Sequence, residues 1–164
     1  MLAAMEINVL EAMMITINKQ IIVNAPIDEV WASWDKFGDI EDFNPNLKAS
    51  NLLTGSPVTG IGAKRQCDLL DGKSTIYEEI IGYAPQEYMI VLMYDGNVPL
   101  ERSTIRFDFE SVAANRTKLL VHAEFEMKYG LLGKLLGPMA KLQLGKAFES
   151  LLAGNAQFVE KLAA

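Results

Sequence analysis

The chain has 164 residues, 50% of them hydrophobic, with a net charge of −6, one cysteine and one histidine. That length fits one domain with a sizeable core. The acidic balance, without a Lys/Arg cluster, speaks against nucleic acid and against an anionic membrane surface, while Cys67 and His122 alone provide neither a disulfide nor metal-ligand spacing, so no metal and no cofactor is expected.

Residues 1–13 are apolar, carry Glu6 and Glu11, and contain no Lys or Arg. They lack the basic start of a secretion signal and read as a tail or short helix ahead of a single domain, 14–164. No apolar run reaches the roughly 18 residues of a membrane-spanning helix, and a cytoplasmic location is expected. Residues 15–23, rich in Ile and Val, predict a strand. Asn24-Ala25-Pro26 interrupts it. Pro26, with Asp28 and Glu29 after it, opens a short helix carrying Val30, Trp31 and Trp34. Gly38 breaks that helix. A second helical piece, 39–43, stops at Asn44-Pro45, because a residue before proline avoids the helical region.

Residues 48–53 predict a strand and 54–62 a turn-rich stretch. Segments 63–70 and 73–82 flank Asp71-Gly72, which predicts a hairpin closed by a two-residue mirror-image turn. Segment 86–94 is the next strand, and 95–99 turns the chain. Segments 102–112 and 117–127 form a second hairpin. A glycine-containing loop, 129–137, leads into a long helix, 138–162, with Pro138 near its first turn. There Leu144, Phe148, Leu151, Phe158 and Leu162 recur at three, four or seven residues and draw one apolar stripe.

Strand, two short helices, six strands and a long helix make an α+β class. Consecutive hairpins make the sheet antiparallel, with about seven strands wrapped around the C-terminal helix. A curved sheet gripping one helix leaves a hollow, where small molecules bind. Eight Met suit a deformable apolar wall, although they also serve as plain core filler.

Several local phrases in this order carry a family likeness. Ala25-Pro26-Ile27-Asp28-Glu29-Val30-Trp31 comes first, then Phe37-Gly38 with Phe43-Asn44-Pro45. Gly62-Ala63-x-Arg65 follows, with Leu70-Asp71-Gly72 and Glu78, and finally 117–125, with Val121 where many relatives carry Trp. Over about 15–162 the chain resembles the START/Bet v 1-like (SRPBCC) superfamily, in its bacterial polyketide cyclase/dehydrase-like branch. The resemblance implies the helix-grip fold and a cavity between sheet and helix, where Trp34 and Phe43 either help to line the cavity or serve as ordinary core. It does not fix an activity, because lipid carriers, hormone-binding proteins and cyclases share the fold.

The Asp71-Gly72 turn sets a register that pairs Arg65 with Glu78 and Cys67 with Ile76. Residues two apart share a face, so these four point together toward the helix. An Arg–carboxylate pair satisfies two buried charges at once. Three roles stay open for it: a cross-strand salt bridge that only holds register, an anchor for a ligand's polar head, or a catalytic pair. In the last, Glu78 is acid or base and Arg65 steadies an enolate-like oxygen. By the same period, Ile105 and Phe107 share a face, and so do Val121, Ala123 and Phe125, which puts His122 outside. Cys67 is expected to be an inert buried thiol. Phe148 and Leu151 on the helix stripe complete the wall. Asn155 either offers an amide to the cavity or reaches water at the helix border.

The expected function is binding of a small, largely apolar molecule such as a lipid, a polyketide or an isoprenoid-like compound. The alternative is a cyclase or dehydratase using Glu78 and Arg65. A third reading is an interaction module or homodimer built on the apolar loop Gly130-Leu131-Leu132-Gly133. That loop, with 97–100, is also expected to frame the cavity entrance.

Overall fold

The computed structural model describes residues 14–128 and 130–164, with 130–134 as backbone only. The expectations for residues 1–13 and for the side chains of Leu131 and Leu132 lie outside the described residues. Seven strands form one antiparallel sheet: β1 (Met14–Val23), β2 (Leu47–Leu52), β3 (Lys64–Leu69), β4 (Thr75–Ala84), β5 (Tyr88–Gly96), β6 (Leu100–Ala113) and β7 (Arg116–Met127). Helix α1 (Ile27–Asp35) and a 3-10 helix (Phe37–Asp42) follow β1, and α2 (Gly130–Ala163) ends the chain. This is the helix-grip architecture expected from the order of elements.

The strand order is β1-β7-β6-β5-β4-β3-β2. After β1 the chain crosses from one sheet edge to the other through α1 and the 3-10 helix. It then meanders back, hairpin by hairpin, until β7 closes against β1. Register shifts interrupt β4–β5 between Tyr77 and Glu78 and again between Ile80 and Gly82. Bulges of this kind bend a strand and deepen its twist, which lets the sheet curl.

α2 packs along β1 and β7 and touches α1. Lys19 of β1 pairs with Glu149, and the Asn24 backbone N–H donates to Glu160 Oε1 at 2.8 Å, so the sheet edge is tied to the helix. Gly154 is what allows the close approach to the chain before β2. A Cβ there would stand 2.1 Å from the Phe43 carbonyl oxygen.

Three local expectations change. The helix begins at Gly130, so 129–137 is not a loop in its described part and Pro138 lies inside the helix. The four Leu of 131–136 favour helix enough to carry the segment past two glycines and a proline that forfeits one backbone hydrogen bond. Leu162 is 73% exposed and leaves the stripe, whereas Leu152, Ala156 and Val159 join it. The β3–β4 turn is not the mirror-image type. Leu69 N–H donates to Ser74 O at 2.9 Å and Gly72 N–H to Leu69 O at 3.1 Å, closing a longer loop over 70–73. Only Gly72 there has positive φ, at 69°. Asp71 stabilises the loop by accepting from the backbone N–H of Lys73 and Ser74 at 2.8 and 2.7 Å. The pairing survives the change of turn because both loops are centred between Asp71 and Gly72. No described helix is long and apolar enough to cross a membrane.

Candidate functional site

Sheet and helix do not meet everywhere. Between the first half of α2 and the concave face of β3–β6 lies a cavity of about 560 Å³. Strand side chains of alternate parity build its floor. Leu69, Cys67 and Arg65 come from β3, Ile76 and Glu78 from β4, Val91 and Met93 from β5. Ser103, Ile105 and Phe107 of β6 continue the floor, and Phe125 and Met127 of β7 end it. Ala140, Leu144, Ala147, Phe148 and Leu151 of α2 form the roof. At the β3–β4 and β5–β6 turns Leu70, Asp71, Val98 and Pro99 border the cavity.

Most of this wall is apolar, so its one buried ion pair stands out. Arg65 and Glu78 are each 5% exposed and face each other across β3–β4, with Cys67 opposite Ile76, the register expected from the hairpin. Arg65 Nε and Nη2 both reach Glu78 Oε2, at 2.8 and 2.7 Å. Its Nη1 donates to the Phe37 carbonyl at 2.8 Å, and the guanidinium lies 3.9 Å from the centre of the Phe37 ring. The 3-10 helix therefore clamps Arg65 from behind. Burial by itself lowers the guanidinium's pKa. The Glu78 carboxylate, the Cys67 sulfur and their hydrogen bonds outweigh that and leave it above its ordinary value.

Cys67 Sγ lies 3.7 Å from Glu78 Oε2 and 3.8 Å from Ser50 Oγ, so its single S–H reaches the carboxylate while the Ser50 hydroxyl stands on its other side. Burial, reinforced by the Glu78 charge and opposed by Arg65, pushes the thiol up to about 12. It is a neutral thiol at physiological pH, in line with the inert reading. The contacts that Glu78 receives all fall on one carboxylate oxygen, Oε2. Among the described residues nothing donates to Glu78 Oε1.

Eight of the twelve expected wall residues meet here: Arg65, Cys67, Ile76 and Glu78 from the hairpin, Ile105 and Phe107 from β6, Phe148 and Leu151 from α2. The other four stand apart from the cavity. The Trp34 ring centre lies 4.4 Å from Phe107 and 5.1 Å from Phe43, so Trp34 and Phe43 belong to a closed aromatic cluster that plugs the α1 end. Val121 is buried outside the hollow, which only Phe125 and Met127 of β7 reach. Asn155 neither meets the cavity nor reaches water. It is fully buried, and its Nδ2 donates to Ser33 Oγ of α1 at 2.8 Å.

Met93 and Ser103 are wall residues that the sequence analysis did not single out. Ser103 lies two positions before Ile105 on the same strand, so the period of two carried it. Met93 was hidden by the register shift between Ile80 and Gly82, which sets Glu78 opposite Met93 and leaves Tyr94 exposed. Asn46 was hidden for another reason, since it sits in a loop. It staples that loop to the helix by donating from Nδ2 to the Ala147 carbonyl at 2.9 Å. His122 is exposed on the outer face beside Asn18. Among the described residues no three His, Cys, Asp or Glu side chains come together as a metal site.

Comparison with known proteins agrees with this geometry. The family model described as polyketide cyclase / dehydrase and lipid transport matches residues 14–160. No curated protein matches the sequence. A START superfamily protein from Mycobacterium smegmatis superimposes with a TM-score of 0.76 at 19% identity, covering 90% of this chain and 99% of its own. A Thermus thermophilus protein gives 0.76 at 14% identity, over 91% and 99%. The Zhui aromatase/cyclase of a Streptomyces species gives 0.75 at 14%, over 92% and 96%. At such identities these structures attest the fold alone. The family model spans nearly the whole chain, and the chain belongs to the polyketide cyclase / dehydrase and lipid transport family.

Proposed function

We propose that this chain, as a member of that family, holds a small, largely apolar molecule between its sheet and α2, with the molecule's polar end at Glu78. One observation carries the reading: a hollow of about 560 Å³ remains where sheet and helix would otherwise pack. That is within the roughly 300–1,000 Å³ of small-molecule sites. Protein interiors are normally close-packed, so an apolar hollow of this size is costly unless it is filled. The Glu78 carboxylate supports a hydrogen-bond donor at the ligand's polar end, a hydroxyl before a carboxylate, because its Oε1 is open while Oε2 is saturated. The same oxygen repels an anion.

A second reading is a cyclase or dehydratase, favoured by the family's description and by the aromatase/cyclase among the similar structures. In that reading Glu78 Oε1 moves a proton on a carbonyl compound. Arg65 fits it less well as a stabiliser of oxygen charge, since its Nε, Nη1 and Nη2 are each already engaged.

Native mass spectrometry of the protein purified from its host tests the container: a bound small molecule is expected, and its mass identifies the class. A chain that carries nothing, and that takes up no apolar fluorescent probe, overturns it. Incubation with a linear polyketone then separates carrier from enzyme. Unchanged substrate supports the carrier, whereas turnover that disappears in Glu78→Gln establishes the enzyme.

A further inference from the structure

Five strands meet the cavity along one cross-strand row. Arg65 pairs with Glu78, Glu78 with Met93, Met93 with Ser103, and Ser103 with Phe125. All five line the hollow. The row is polar at Glu78, apolar at Met93 and polar again at Ser103. Ser103 is 2% exposed, and its hydroxyl has no hydrogen-bond partner among the described residues. A buried hydroxyl left unpaired loses its hydration without compensation. An apolar residue of similar size would serve the wall better, unless something in the cavity completes the bond.

We infer that Ser103 is a second polar anchor of the site, and that the ligand carries two oxygen functions on an apolar body. One is a hydroxyl donating to Glu78; the other exchanges a hydrogen bond with Ser103. Two strand spacings separate these positions, roughly 10 Å of backbone. Inward-pointing side chains on a curled sheet converge, so the two ligand oxygens are spaced as at opposite ends of a fused two-ring system. Met93, flexible and polarisable, lies beneath the apolar middle. This inference rests on the container reading above and adds to it the number and placement of polar groups.

Three probes test it: naphthalene, a naphthol, and a naphthalenediol with hydroxyls at opposite ends. The single hydroxyl of the naphthol goes to the carboxylate, the stronger acceptor. The diol should bind the parent about three- to tenfold tighter than the naphthol, the increment of one neutral hydrogen bond. In Ser103→Ala the diol should bind no tighter than the naphthol. Ligand-free Ser103→Ala should also melt above the parent, because it removes a buried unpaired hydroxyl.

Equal affinity changes for both probes, a retained diol increment, or melting at or below the parent's temperature overturns the anchor and leaves the container standing. If none of the three probes binds the parent, the container falls and the anchor with it.

Discussion

At the α1 end of the concave face, rings fill the space between sheet and helix; at the β3–β6 end the same sheet and helix enclose a cavity. Trp31, Trp34, Phe43, Phe107 and Phe109 contact one another edge-on or tilted, with centres 4.4–6.1 Å apart. Phe107 belongs to both regions, packing at a tilt against Trp34 and also lining the hollow. Residue size makes the difference. Two tryptophans from α1 and a glycine at 154 let that end close completely. Opposite β3–β6 the helix offers Ala140, Leu144 and Ala147, which are too small to span the gap. The closed end supplies stability, and the open end is free to be shaped for a ligand.

Substitutions at the two ends should therefore behave in opposite ways. Trp34→Ala empties the closed end and should cost about 3–5 kcal/mol in urea unfolding. A loss below about 1 kcal/mol would show that the cluster does not hold the fold. Gly154→Ala comes next. In an ordinary helix interior the change gains roughly 1 kcal/mol. Here the new Cβ meets the Phe43 carbonyl, so the sign should reverse, with a loss of about 1–3 kcal/mol. The smallest effect belongs to Ala147→Leu, which adds volume to the roof of the hollow. Stability should change by less than about 1 kcal/mol, since there is room, while uptake of an apolar fluorescent probe falls. A strongly destabilised Ala147→Leu would mean that the hollow is not a tolerant space.

The Arg65–Glu78 pair was legible from sequence because a hairpin turn sets register, and register sets which side chains share a face. The change from the expected mirror-image turn to the longer loop did no harm, since both are centred between Asp71 and Gly72. Trp34, Val121 and Asn155 were misplaced for a different reason. Alternation and helical period say that a residue faces inward. They do not say whether helix, aromatic ring or empty space lies opposite. Met93 needed one more fact, the register shift between Ile80 and Gly82, which sets Glu78 opposite Met93 instead of Tyr94, with Gly82 as its local signal.

Local rules acting over a few residues thus determine the strands, their order, the hairpin register and the class of the fold, because backbone hydrogen bonding and side-chain period are properties of the chain itself. The closure of one end of the concave face and the hollow at the other depend on which side chains meet across long separations. Those were decided only by tertiary packing, where the volumes of residues from distant segments are summed for the first time.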